Sequence, residues 1–292
     1  MVTFLVDWSW ISYRSHFAHS GREVVKKGIT YKTGMIEGTF NALSSIRSGY
    51  PDSVIYLCLD GVATKALATH SDYKAHREKS HSDVLSVDMR KLAKAFSYLP
   101  FVKVAYHPEM EADETIAFLV ETLKGSDYVV IYSGDNDLRQ LVDDESRVVC
   151  LKEMGSGGWF QFEDESAVRT NLGLDVGAIA LFKAICGDSS DNISGIPRFE
   201  KSIGTALSNQ FKDPDSLYSA LRGSMVPGLA GTKKLSSLLA GEDVVRRNYA
   251  ITKIEPLGIP EIRDSVGTYE YAVDFFTYYE AHDVLGGLEK ML

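Results

Sequence analysis

Short, nearly continuous apolar runs, several of them ending in aspartate, constrain this chain more than any other feature. Five such runs, Thr3 to Val6, Val54 to Leu59, Phe101 to Tyr106, Tyr128 to Tyr132 and Val148 to Leu151, are rich in Val, Ile, Tyr and Phe. Continuous rather than alternating hydrophobicity predicts strands covered on both faces, as in a parallel sheet. Helical patterns lie between them at 35–47, 84–99 and 112–124. In the second of these, Leu85, Met89, Leu92, Phe96 and Leu99 make one apolar stripe. This alternation predicts an α/β core with a mostly parallel central sheet flanked by helices and right-handed crossovers. After about residue 163 the strand signals fade. Short helices at 175–186, 203–211, 215–222, 232–240 and 242–253 are joined there by Gly, Pro, Asp and Ser. GSGGWFQF, residues 155–162, reads as a turn into a short strand. The expected division is 1–162 for the α/β core and 163–292 for a helical C-terminal region.

The aspartates fall where a parallel sheet places a site. FLVD ends at Asp7, VIYLCLD ends at Asp60, and YVVIYSGDND delivers Asp135 and Asp137 just past its end. Ligands bind open α/β sheets outside the carboxyl ends of the strands. HPEMEADE adds Glu111, Asp113 and Glu114 at a helix start. Acids there also suit the helix dipole, which accounts for one or two of them. GDSSDN supplies Asp188 and Asp191, whose spacing of three lets both face one way across a turn. Taken singly, each aspartate suits a turn or cap. Nine converging carboxylates repel one another unless cations sit among them. Oxygen ligands without paired Cys or His point to Mg²⁺ or Mn²⁺, not zinc. Two-ion carboxylate sites serve phosphoryl transfer by in-line attack of water.

Taken alone, net charge argues against a nucleic-acid partner. The chain of 292 residues has 31 Lys and Arg against 40 Asp and Glu, a formal charge of −9. Nine of those acids belong to the proposed set, and the remaining 31 balance the basic residues. Between 74 and 99, six basic residues (Lys74, Arg77, Lys79, Arg90, Lys91, Lys94) outnumber three acids. A basic rim beside an acidic pit draws in a phosphate strand; a solvated amphipathic helix is the plainer reading. Ordinary composition excludes disorder, collagen and disulfide scaffolds. Cys58, Cys150 and Cys186 sit in apolar runs and read as reduced core residues, implying a reducing, cytoplasmic compartment. No run approaches the ~18 apolar residues of a membrane span, and the N-terminus lacks the basic start of a signal peptide.

Five blocks in order resemble the flap endonuclease and 5′-3′ exonuclease family, in its free-standing phage-type or bacterial form. They are FLVDWSWISYR, LDGVATK with DYKAHR, MEADE, SGDNDLRQL and ICGDSSDNISGIP. The resemblance covers roughly residues 2–212, and LSSLLAGEDVVRRNYAITKI continues it more weakly. It implies a PIN-like 5′-nuclease core whose helical C-terminal region carries a helix–turn–helix-type DNA-binding element. Asp7, Asp60, Glu111, Asp113 and Glu114 would hold a first metal ion, and Asp135, Asp137, Asp188 and Asp191 a second. Lys74 and Arg77 match catalytic basic residues that meet the scissile phosphate, with residues 74–99 as an arch or clamp. Arg90, Lys91, Lys94, Lys183, Arg198 and Lys201 would contact DNA.

Three features depart from the family pattern. Trp8 follows the first aspartate where a small residue is usual; it narrows the site, stacks on a base, or packs in the core. Glu114 stands where Asp is common, one methylene longer. GIPRFEKSIGTA lacks the usual glycine series, which puts the monovalent cation normally bound at that turn in question. VPGLAGTKKL, residues 226–235, is either a second phosphate-gripping turn or an ordinary helix start.

The function this resemblance implies is a structure-specific 5′-nuclease cutting flapped, branched or nicked DNA, and RNA primers, during replication. Such a protein would act as a monomer beside a separate polymerase or single-strand-binding protein, away from membranes. Two rivals remain: a PIN-like endoribonuclease, usually about half this length, and a non-catalytic structure-specific DNA binder.

Overall fold

The computed structural model describes residues 1–75, 82–154, 159–223, 226, 229, 231–264 and 269–291. Its strands are β1 (Val2–Asp7), β2 (Glu23–Lys26), β3 (Ile29–Lys32), β4 (Val54–Leu59), β5 (Val102–Tyr106), β6 (Tyr128–Tyr132), β7 (Val148–Met154), β8 (Trp159–Glu163), β9 (Gly187–Asp188), β10 (Ile193–Ser194) and β11 (Glu261–Arg263). The helices of the first half are α1 (Trp8–Ala18), α2 (Gly34–Gly49), α3 (Thr64–Thr69), α4 (Ser82–Phe96) and α5 (Ala112–Leu123). Those of the second half are α6 (Glu165–Leu172), α7 (Ile179–Cys186), α8 (Lys201–Phe211), α9 (Pro214–Arg222), α10 (Lys233–Ala240), α11 (Glu242–Thr252), α12 (Glu270–Tyr278) and α13 (His282–Met291).

Among the described residues the central sheet has seven strands in the order β11-β5-β4-β1-β6-β7-β8. The inner five run parallel, and β8 and β11 close the two edges antiparallel. The five apolar runs are these inner strands. Successive residues point to opposite faces, so Phe4 and Val6 enter one core with Phe40, Leu43, Phe96, Phe276 and Leu288. Leu5 enters the other with Ile116, Leu119, Ile131, Val168 and Ile179. A third core, including Leu181, Ile185, Leu207, Leu217, Leu238 and Val245, holds the helical region together. The chain order reverses around β1, with β4 on one side and β6 on the other. The crevice at that reversal is where such sheets bind ligands.

The region after residue 163 is mainly helical and packs on the α/β core: β11 pairs with β5, and α12 and α13 enter the first core. Their apolar residues complete the face that α1, α2 and α4 leave uncovered. Part of the segment proposed as an arch, 74–99, is docked on the core. Met89, Leu92, Ala93, Ala95, Phe96 and Leu99 are buried in that core, because the apolar stripe that predicts the helix also docks it. The β2–β3 hairpin was not foreseen from the sequence; Lys27 and Gly28, both with positive φ, make its tight turn.

Candidate active site

Strand ends deliver the first acids. Asp7 closes β1 and caps α1, accepting from Trp10 N at 3.0 Å and from Ser133 Oγ at 2.8 Å. Asp60 follows β4 and accepts from Ala112 N at 2.8 Å, which fixes the start of α5 beside it. The approach is close: a Cβ at Gly61 would lie 2.1 Å from the His107 carbonyl oxygen, so only glycine lets these backbones pair. Asp7, Asp60, Glu111, Asp113 and Asp135 line one cavity of about 440 Å³ together with Lys74. Asp135 therefore joins the first cluster, although the resemblance groups it with the second.

A short hairpin builds the second cluster. β9 and β10 pair so that Asp188 and Asp191 lie at their turn, not on a helix face. Gly187 and Gly195 cross too closely for side chains; a Cβ on Gly195 would sit 2.3 Å from Gly187 N. Asp137, Asp188 and Asp191 each offer an oxygen within 4.8 Å of the others. This all-oxygen set suits a hard divalent cation.

Electrostatics favour added positive charge. Burial, then the Asp60 charge, pushes the Asp7 carboxyl up to about 7 despite its hydrogen bonds. Burial and Glu111 hold Asp113 well above the carboxylate range, against the pull of Lys74. Burial raises Asp137 to about 6, over the opposing effect of Lys183.

Tyr73 and Lys74 join the clusters. Tyr73 donates to Glu111 Oε2 at 3.0 Å and to Asp191 Oδ2 at 3.2 Å. Lys74 Nζ is 2.7 Å from Glu111 Oε1 and 3.9 Å from Asp191 Oδ2. Burial alone lowers the Lys74 pKa, but Glu111, Asp191 and Asp113 outweigh it and the net shift is upward. Lys74 has φ of 53° and its N–H bonds the Asp191 carbonyl, a costly conformation for a non-glycine residue held by its surroundings. The Asn192 amide and the His70 ring complete the stitching between these loops.

Other predicted residues separate into groups. Glu114 turns back to accept from Glu111 N at 2.9 Å, capping its own helix instead of lining the cavity. Lys183 sits inside the second cluster, paired with Asp137 and Asp188, rather than on a DNA-facing surface. Arg198 and Lys201 are exposed at the start of α8. Arg90, Lys91 and Lys94 are exposed on α4, with Arg90 over Tyr106 and Lys94 over Tyr271. Arg77 and Lys79 lie outside the described residues. Trp8 packs: it is 1% exposed and donates to the Met89 carbonyl. In the 226–235 segment, Thr232 caps α10 through Leu235 N, the ordinary helix start.

Sequence reasoning missed Trp10, Tyr13, Arg14 and Tyr73. The first three line the cavity from α1, and Arg14 lies over the Trp10 ring. Their spacing of three and four places them on one helix face beside Asp7, a signal present in WSWISYR. Tyr73 has no comparable periodicity; only its place before Lys74 marks it.

Comparison with known proteins agrees with this fold. The family model for the 5′-3′ exonuclease N-terminal resolvase-like domain matches residues 2–173. A 5′-3′ exonuclease of Mycoplasma pneumoniae is 29% identical over 224 residues, 70% of this chain and 74% of that protein. DNA polymerase I of Pseudomonas aeruginosa is 32% identical over 210 residues, 71% of this chain but only 22% of that protein. The bacteriophage T5 flap endonuclease, solved as a pseudo-enzyme–product complex with DNA and metal ions, has the same fold. Its TM-score is 0.64 at 16% identity, covering 100% of this chain and 98% of that one. The chain belongs to the 5′-3′ exonuclease family.

Proposed function

We propose that the chain is a structure-specific, divalent-metal-dependent 5′-nuclease that cuts flapped or nicked DNA, with RNA primers as further substrates. The observation that carries this reading is the pair of carboxylate clusters at the strand-end crevice, bridged by Tyr73 and Lys74. The family membership and the DNA-bound T5 relative support it. The oxygen-only donor sets favour Mg²⁺ or Mn²⁺. Asp7, Asp60, Glu111, Asp113 and Asp135 would hold one ion, and Asp137, Asp188 and Asp191 the other. Bound there, such ions activate water and steady the leaving oxygen of a phosphodiester.

The protein's own groups orient the substrate. Lys74 lies between the clusters, where its ammonium would meet a nonbridging phosphate oxygen and stabilise charge developing on it. Arg77 would share this role. Tyr73 keeps Glu111 and Asp191 at a set separation. Trp10, Tyr13 and Arg14 offer aromatic surface and a cation to a single strand at the same cavity. Arg198 and Lys201, with Arg90, Lys91 and Lys94, would contact backbone phosphates. The chain would work as a monomer beside a separate polymerase.

A 5′-labelled flap incubated with Mg²⁺, beside a linear RNA of equal length, tests the reading. Expected is cleavage near the flap base that vanishes with chelator. Preference for plain RNA would favour an endoribonuclease, and flap binding without cutting at any metal concentration a DNA-binding scaffold.

A further inference from the structure

Behind the turn that carries Asp135 and Asp137 lies an ion pair removed from water. Arg139 and Glu163 are both 0% exposed. Arg139 Nη2 is 2.5 Å from Glu163 Oε2, at the end of edge strand β8. Arg139 Nη1 donates to the Asp135 carbonyl at 2.5 Å. Asn171 on α6 holds the other Glu163 oxygen at 2.8 Å.

The brace reaches the first cluster. Asp135 N–H donates to Ser133 Oγ at 3.0 Å, and that hydroxyl donates to Asp7 Oδ2. Asp135 Oδ1 accepts from Asp137 N at 2.9 Å. One continuous polar path thus runs from β8 through Arg139 and Asp135 to Asp7.

Two physical arguments give this pair a role other than stability. Apolar residues of similar volume often serve a core as well as a buried ion pair does, because two charges must be desolvated to form it. The segment it supports, residues 137–141, is a single short 3-10 helix, whose hydrogen bonds are poorer than those of an α-helix. Such a turn needs an external brace to aim its carboxylates.

We propose that Arg139 and Glu163 are positioning residues that fix the Asp135–Asp137 turn so that both carboxylates meet divalent ions at set distances. The inference rests on the nuclease reading above. Neither side chain touches substrate; they act through the Asp135 main chain.

The test compares wild type, the double variant Arg139→Met with Glu163→Leu, and the single variant Arg139→Lys. The double variant removes both charges together and leaves neither unpaired. The lysine keeps the charge but replaces the planar fork by one compact head. Each is measured for melting temperature, Mn²⁺ binding by calorimetry without DNA, and kcat and KM on a 5′ flap. Expected is a cooperative fold with Mn²⁺ affinity and kcat each lowered about tenfold or more, and flap KM little changed. Wild-type Mn²⁺ affinity and kcat in whichever variant folds would overturn the proposal, as would failure of both variants to fold. A wild-type protein that neither binds Mn²⁺ nor cuts the flap would instead overturn the nuclease reading itself.

Discussion

The ammonium of Lys183 stands 2.5 Å from a carboxylate oxygen of Asp188. It also pairs with Asp137, so one side-chain cation sits among the three acids grouped closely enough to share a metal ion. The second cluster therefore carries its own counter-charge before any ion arrives.

Competition between this ammonium and a metal ion should be measurable. Replacing Lys183 by Met removes the internal cation and leaves Asp137 and Asp188 facing each other. The variant should melt at lower temperature than wild type in chelator, bind Mn²⁺ more tightly at the second site, and recover more of its stability when Mn²⁺ is added. Calorimetric titration of both proteins decides it; equal or weaker second-site affinity in the variant would exclude competition.

The neighbouring basic residue has a different task. Lys74→Ala should slow single-turnover flap cleavage by about 10²–10³, the scale of losing one donor that stabilises developing charge. Tyr73→Phe should cost less, since it removes the link between Glu111 and Asp191 but no charge. An unchanged single-turnover rate in Lys74→Ala would remove its phosphate-contact role.

How far the sequence carries toward this site can be judged residue by residue. The inner strands and the acids at their ends were legible because parallel strands buried on both faces leave continuous apolar runs, and topology then sends their ends to one edge. The grouping within the site was not. Asp135 is two residues from Asp137, yet it lines the first cluster's cavity, its backbone N–H donating to Ser133 Oγ and its carboxylate accepting from Asp137 N–H. Glu114 reads as a ligand by position, but its extra methylene lets it fold back onto Glu111 N. Lys183 reads as a surface contact because its cluster partners are tertiary; Asp137 lies 46 positions away and no helical period connects them. The return of α12 and α13 to the first core was hidden for a similar reason. Their apolar residues mark burial, but nothing in a local pattern says against which layer.

The carboxylates themselves divide binding from chemistry. Asp137→Asn and Asp191→Asn should each abolish flap cleavage in Mg²⁺ while flap binding, measured by fluorescence anisotropy in Ca²⁺ or chelator, stays near wild type. Each change removes a ligand charge without disturbing the apolar cores. Normal turnover in either variant would place that residue outside the site.

Metal and pH should act on stability through the same acids. In metal-free protein the Asp7 carboxyl is raised to about 7 and that of Asp137 to about 6. A raised carboxyl means the folded state binds protons that the unfolded chain, with pKa near 3.9, has already released. Stability from these groups is therefore full below about pH 4 and is lost as pH rises through the folded values, between about pH 4 and pH 7. A divalent ion replaces the protons. In chelator the melting temperature contribution of the cluster should fall from pH 5 to pH 8, and Mn²⁺ should raise the melting temperature more at pH 8 than at pH 5. Asp7→Asn should flatten the chelator profile over that window. Melting curves at several pH values, with and without Mn²⁺, check both signs; a metal effect larger at pH 5 than at pH 8 would contradict the account of buried, proton-holding acids.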